Sequence, residues 1–561
     1  MLGDDDLAIK RFEQVIKNDP KYEEELENFK KLQGEKMTIN RRGFLGSAAA
    51  AGVGLVALRS FGSSVQSFEI EEATVAELRA MMTKVEISSK SITEMYLKRI
   101  ASIDRQINSV IEVNPDAVKI AEEMDRERKE GKIRGPLHGI PFVIKDNIDT
   151  ADKMKTTAGS LALLNAPVPK QDAFIVGKLR DAGAVLLAKT NLSEWANFRD
   201  NDSISGWSGR GGQTRNPYIL DRNPCGSSSG TGAAISANLA AIGVGTETDG
   251  SIVCPSSVCG IVGLKPTIGM VSRSGIIPLA HSQDTAGPMT RTVADAAVML
   301  NVLDAADPRD AVTNEMKRER SDYTTFLKAD GLKGARIGVV RNFWGRRKEV
   351  DKVMNASLEV LKASGAILVD VTIDSIGKFG DAEYQVLLYE FKADLEKYLT
   401  DRGSEHKTIS ELIQFNQDNS VRELKYFGQS IFEAAEKKGP LNTKEYVDAL
   451  ALSKRLTQAE GIDLVMDRDK LDALVGPSNA PSWLIDTVSG DCGSGYVSSS
   501  SLAAVAGYPN ITVPAGFERE LPMGISFFGR AWSEGTLIKL AYSFEQATKA
   551  RRKPKFLNTY L

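Results

Sequence analysis

The chain has 561 residues, of which 42% are hydrophobic, 26% charged and 7% aromatic, an ordinary globular balance that excludes a disordered or collagen-like polymer. The net charge is −3, and beyond Lys36 the acidic and basic side chains balance at 64 each, so no positive field exists to draw nucleic acid or an anionic membrane. Cys225, Cys254, Cys259 and Cys492 are too few to staple a fold of this size and show no zinc-type spacing, so neither a metal nor a cofactor is expected.

The first 36 residues form a charged extension. After Met37, Asn40-Arg41-Arg42-Gly43-Phe44-Leu45 leads into a mild Ala/Gly-rich apolar run ending at Leu58. That run is shorter than the ~20 residues a spanning helix needs, and its glycines weaken it as a core helix. Residues 37–66 look like a twin-arginine export signal, which implies the export machinery as partner of the precursor, a periplasmic destination and a mature start between Ser63 and Ser67.

Residues 67–561 read as one domain. Helical spacing of apolar residues over Val75–Met82 and Ser91–Ile100 predicts amphipathic helices. Short apolar runs then alternate with helical stretches: Pro141–Ile144, Ala184–Ala188, Ala241–Val244, Ile261–Leu264, Ile337–Val340, Ala473–Val475, Ile511–Val513 and Ile525–Phe528. This is the pattern of buried strands in an α/β sheet covered by helices. A charged stretch from Asp307 to Lys333 is expected to be a surface connection, and 373–462 a helical insertion.

Three segments carry chemistry. The run Gly135 to Asp146 ends an apolar strand on Lys145, where desolvation can strip a lysine of its charge and make it a base. Asp146 should not oppose this, because successive strand residues face opposite ways. Asn223-Pro224-Cys225-Gly226-Ser227-Ser228-Ser229-Gly230 sets exposed hydroxyls and free amides at a helix start, a place for an anionic group. Gly245-Thr246-Glu247-Thr248-Asp249-Gly250-Ser251-Ile252 places another hydroxyl beside unpaired amides after a strand.

In that order and spacing, these segments resemble the amidase signature family, as do Cys259–Thr267, Lys189–Trp195, Asp284–Met289 and Ala506–Gly516. The resemblance implies a mixed sheet covered on both faces by helices, and hydrolysis of an amide by a Ser-Ser-Lys triad. By position it makes Ser251 the nucleophile, Ser227 the bridging serine after a cis peptide bond, and Lys145 the base. The N–H groups of Thr248, Asp249, Gly250 and Ser251 would form the oxyanion hole, and the substrate would be a small-molecule or peptide amide. Asp249-Gly250, where much of the family has two glycines, resembles bacterial peptide amidases that remove C-terminal amides. Val253 stands where the glutamine-using amidotransferase branch commonly has arginine, the fork that grips a free carboxylate. Two alternatives stand beside this reading. One is that amidotransferase subunit; the other is an α/β-hydrolase esterase with Ser228 in a Gly-x-Ser-x-Gly elbow and His281 or His406 as its base.

Overall fold

The computed structural model describes residues 68–315, 320–491 and 496–560. The charged extension and the Arg41-Arg42 stretch lie outside the described residues.

Among the described residues, one sheet takes eleven strands. They are β1 (Val110–Val113), β2 (Pro141–Lys145), β3 (Val185–Thr190), β4 (Ile242–Glu247), β5 (Val262–Lys265), β6 (Thr285–Thr290), β7 (Arg336–Val340), β8 (Ile367–Val371), β9 (Ala473–Pro477), β10 (Asn510–Glu518) and β11 (Leu521–Phe528). Their spatial order is β1-β3-β2-β4-β6-β5-β10-β11-β9-β7-β8. Pairing is parallel for β3-β2-β4 and for β9-β7-β8, and antiparallel for the other neighbours. The fold is therefore mixed α/β, as expected.

Apolar runs form these strands because helices cover both faces. Every residue of β2, β3, β4 and β5 is buried, so the sequence shows short continuous hydrophobic runs rather than alternation. Three strands of this sheet are not evident from the sequence. β1 and β8 are edge strands with half-exposed side chains, and β6 carries Gly287-Pro288 yet lies inside the sheet between β4 and β5. Proline cannot donate to a ladder, which hides such a strand from propensity.

The helices Val75–Thr83 and Ser89–Arg99 lie where periodicity puts them, and the first opens with a Thr74/Glu77 capping box. The stretch 307–333 is not simply a surface connection: Asp307, Asp310, Thr313, Tyr323 and Leu332 are buried. Its polar groups are satisfied internally, as where Arg273 Nη2 and Nε meet Asp310 at 2.5 and 2.9 Å.

Helices Gly380–Arg402, Ile409–Asp418, Ser430–Glu436 and Lys444–Thr457 fill the expected insertion. They bury a second apolar core in which Leu388, Phe391, Leu395 and Phe432 meet Trp195 and Phe198. Fully buried Arg199 ties the insertion down through Glu194 at 2.7 Å and Glu423 at 3.5 Å, with the Phe427 ring 4.2 Å from its guanidinium carbon.

Candidate active site

The parallel register of β2 and β4, with Ile144 beside Val244, brings Lys145 alongside the carboxyl end of β4. Open α/β sheets characteristically bind ligands beyond the carboxyl ends of such strands. Lys145 is fully buried, and its Nζ lies 2.6 Å from Ser227 Oγ and 2.8 Å from Thr246 Oγ1. Burial is the main cause that lowers its pKa to about 7, against the opposing charges of Asp284 and Glu247. Asp146 does turn away, accepting from Thr157 and Gly159 and facing Arg210.

Two other motif lysines are buried as deeply but serve the backbone. Lys189 donates to the Ile148 carbonyl, and to Thr156 Oγ1 at 2.9 Å; Lys265 reaches the Tyr508 carbonyl at 2.6 Å. Of the three, Lys145 alone is set against the hydroxyl of a loop serine.

The Gly226–Ser227 peptide bond is cis. Gly226 leaves no room for a side chain, since a Cβ there would fall 2.1 Å from Ser193 Oγ. The expected exposed hydroxyls are buried: Ser227, Ser228 and Ser229 are each fully covered, because the helix Ser229–Ser236 is itself sunk between the sheet and its neighbours. Ser228 Oγ donates to the Thr246 carbonyl at 3.0 Å and accepts from Thr246 N–H at 3.2 Å, so its hydroxyl is engaged on both sides. His281 is held by Asp394 at 2.8 Å and Glu390 at 3.5 Å, and His406 packs at a tilt against Phe415. These contacts give Ser228 no histidine base, and the esterase alternative falls on position.

Ser251 follows Gly250, whose φ of +77° suits glycine. The Ser251 carbonyl accepts from Ser228 N–H at 3.2 Å, which lays the Ser227 and Ser251 segments side by side. Thr248, Asp249, Gly250 and Ser251 line a cavity of about 410 Å³, together with Cys225, Gly226, Cys254, Leu387 and Trp483. Among the described residues, no protein acceptor takes the N–H of any residue from Thr248 to Ser251.

Several contacts that hold this turn are not foreseen from the sequence. Glu247 Oε2 accepts from the N–H groups of Ile252 and Val253 at 2.8 and 3.0 Å. Asp284 accepts from Thr248 Oγ1 at 2.6 Å, and burial raises its carboxyl to about 6. Asp249, a residue without a nameable partner in the sequence, accepts from Ser500 Oγ at 2.7 Å. Burial raises its pKa too, and its charge helps lift that of Glu383, on the inserted helix, to about 8, after burial itself. Cys225 and Cys254 form a disulfide beside the cavity, which spacing alone did not reveal. A short signal was present only in hindsight of the fold: both cysteines lie within three residues of a site serine.

Residues 91–538 match the amidase family, and the chain belongs to it. It is similar to the peptide amidase of Stenotrophomonas maltophilia, with 49% identity, a TM-score of 0.83, and coverage of 87% of this chain and 99% of that one. An Arabidopsis thaliana protein named as a probable amidase is 39% identical, over 89% of this chain and 96% of its own. A glutamyl-tRNA(Gln) amidotransferase subunit from Thermoanaerobacter pseudethanolicus is 34% identical, over 87% and 99%. The protein is an amide-hydrolysing enzyme.

Proposed function

We propose that the enzyme removes C-terminal amides from peptides through a seryl acyl-enzyme on Ser251. The observation that carries this reading is the buried Lys145 Nζ, 2.6 Å from Ser227 Oγ, in a segment laid against that of Ser251. Neutral Lys145 takes the proton of Ser227, and Ser227 takes that of Ser251, whose oxygen attacks the amide carbon. The N–H groups from Thr248 to Ser251 donate to the developing oxyanion; one such donor is worth about 10²–10³ in rate. The proton returns by the same relay to the leaving nitrogen, ammonia departs, and water hydrolyses the ester with the relay running again.

The cavity supports a neutral amide terminus over a free amino acid. Its described lining includes Asp249 and Asp491 and no lysine or arginine, and Val253 supplies no guanidinium. A buried, unpaired substrate carboxylate would cost about 3–5 kcal/mol. A panel scored by ammonia release should give kcat/KM for a peptide amide at least about 10²-fold above that for glutamine. Ser251→Ala should abolish turnover, whereas Ser228→Ala should keep it at a stability cost of about 1–3 kcal/mol. Preference for glutamine would overturn the substrate class, and an active Ser251→Ala with an inactive Ser228→Ala would overturn the nucleophile.

We further propose that Arg41-Arg42 and the apolar run after them send the folded precursor to the periplasm by the twin-arginine route. The Cys225–Cys254 disulfide suits an oxidising compartment.

A further inference from the structure

The segments of Ser227 and Ser251 are joined covalently. Cys225 stands two residues before Ser227 and Cys254 three after Ser251, and their disulfide spans 29 residues. Cys225 has left-handed backbone, φ 59°, next to Gly226, and its carbonyl accepts from Ser229 Oγ at 2.6 Å. Cys254 N–H donates to the Gly250 carbonyl at 2.8 Å, within the turn that carries Ser251. Besides this bond, the two segments are tied through Ser228, whose N–H donates to the Ser251 carbonyl and whose Oγ donates to the Thr246 carbonyl and accepts from the Thr246 N–H. Both cysteines line the cavity, Cys225 at 5% exposure and Cys254 at 2%. A reagent small enough to enter the cavity therefore meets the disulfide as part of its wall.

We propose that the Cys225–Cys254 disulfide is a redox-sensitive positioning element: a small dithiol entering the substrate cavity reduces it, the Ser227 hydroxyl shifts from its alignment with Ser251, and hydrolysis slows. This rests on the Ser251–Ser227–Lys145 reading above. The dithiol's thiolate attacks Cys225 Sγ, the sulfur of the more exposed residue, and the Cys225–Cys254 bond breaks with Cys254 leaving as thiolate. The Asn479 side-chain amide donates to Cys254 Sγ and so favours that leaving group. The dithiol's second thiol then attacks its own sulfur in the mixed disulfide and releases Cys225. The dithiol ends as a cyclic disulfide, and both cysteines take up protons. Cys259, in the same apolar cluster, is no exchange partner, since burial raises its thiol far above the ordinary value and keeps it protonated.

The test treats the purified full chain with dithiothreitol, alkylates with iodoacetamide under native conditions, maps Cys225 and Cys254 by mass spectrometry, and measures kcat and KM on the best peptide amide. Reduction of both should lower kcat by about 10²-fold, leave KM and circular dichroism nearly unchanged, and be reversed by oxidised glutathione. Cys225→Ser/Cys254→Ser should match the reduced enzyme and ignore dithiothreitol. If that variant does not fold, the reversible reduction of the wild type decides alone. Unchanged kcat with both cysteines alkylated would overturn the proposal, as would alkylation of both without reductant or their resistance to native reduction. Absence of turnover on every amide before reduction would instead sink the catalytic reading on which it rests.

Discussion

What a buried lysine can do depends on what it faces. Lys145, Lys189 and Lys265 are all fully buried at or near strand ends; Lys189 holds the Ile148 carbonyl and Thr156 Oγ1, Lys265 holds the Tyr508 carbonyl, and of the three only Lys145 meets a loop serine, Ser227, beside Thr246. With its pKa lowered to about 7, Lys145 becomes neutral as pH rises through that value. The kcat/KM for an amide should climb with an ascending limb near pH 7, and Lys145→Ala should lose the limb and about 10²–10⁴ in rate. An unchanged limb in the variant would assign the base elsewhere. The stability consequence has a definite sign. The unfolded lysine binds its proton below about 10.5 and the folded one only below about 7, so folding loses stability as pH falls between them.

Elements, rather than single residues, hold the turn that carries Ser251. Strand β4 ends in Glu247, which grips the two N–H groups after Ser251, while Asp284 at the start of β6 holds Thr248. The inserted helix Gly380–Arg402 adds Glu383, which accepts from Gln283 at 3.1 Å and feels the charge of Asp249. Lys454, from the Lys444–Thr457 helix, pulls the other way without reversing the shift. Burial and Asp249 keep Glu383 protonated up to about pH 8, against 4.5 for the free side chain. Between those values the folded state holds a proton that the unfolded chain has lost, so stability declines as pH rises through the window. Glu383→Gln mimics the protonated form. Its unfolding free energy should fall less than that of the wild type across the window, a gap on the order of a few kcal/mol at its alkaline end. Parallel stability curves for the two proteins would refute the buried acid pair.

At the scale of the molecule, residues from Phe68 onward form one unit carrying every residue of the site. The export proposed for that unit rests on the segment before it. Arg41→Lys/Arg42→Lys should retain the protein in the cytoplasmic fraction without altering kcat of the purified enzyme. Unchanged periplasmic accumulation of this variant would remove the twin-arginine route.

The local text of the chain determined most of the buried strands, the first helices, the extent of the insertion and the three segments that carry Lys145, Ser227 and Ser251. Hydrophobic runs and glycine punctuation are local signals, and burial on both faces makes them legible. The half-exposed β1 and β8 and the proline-bearing β6 were not legible, because their strand state comes from the neighbours they pair with. The folded chain alone decided which buried lysine meets a serine and that, of three adjacent serines, Ser227 is the one whose hydroxyl faces it while the backbone engages Ser228 and Ser229. It also decided that Cys225 and Cys254 bond, and that Asp249 finds Ser500 and Glu383. Those contacts join residues tens to hundreds of positions apart, and composition and spacing carry no record of such distances; burial, which sets the protonation of Lys145 and Glu383, exists only once the sheet and insertion have closed around them.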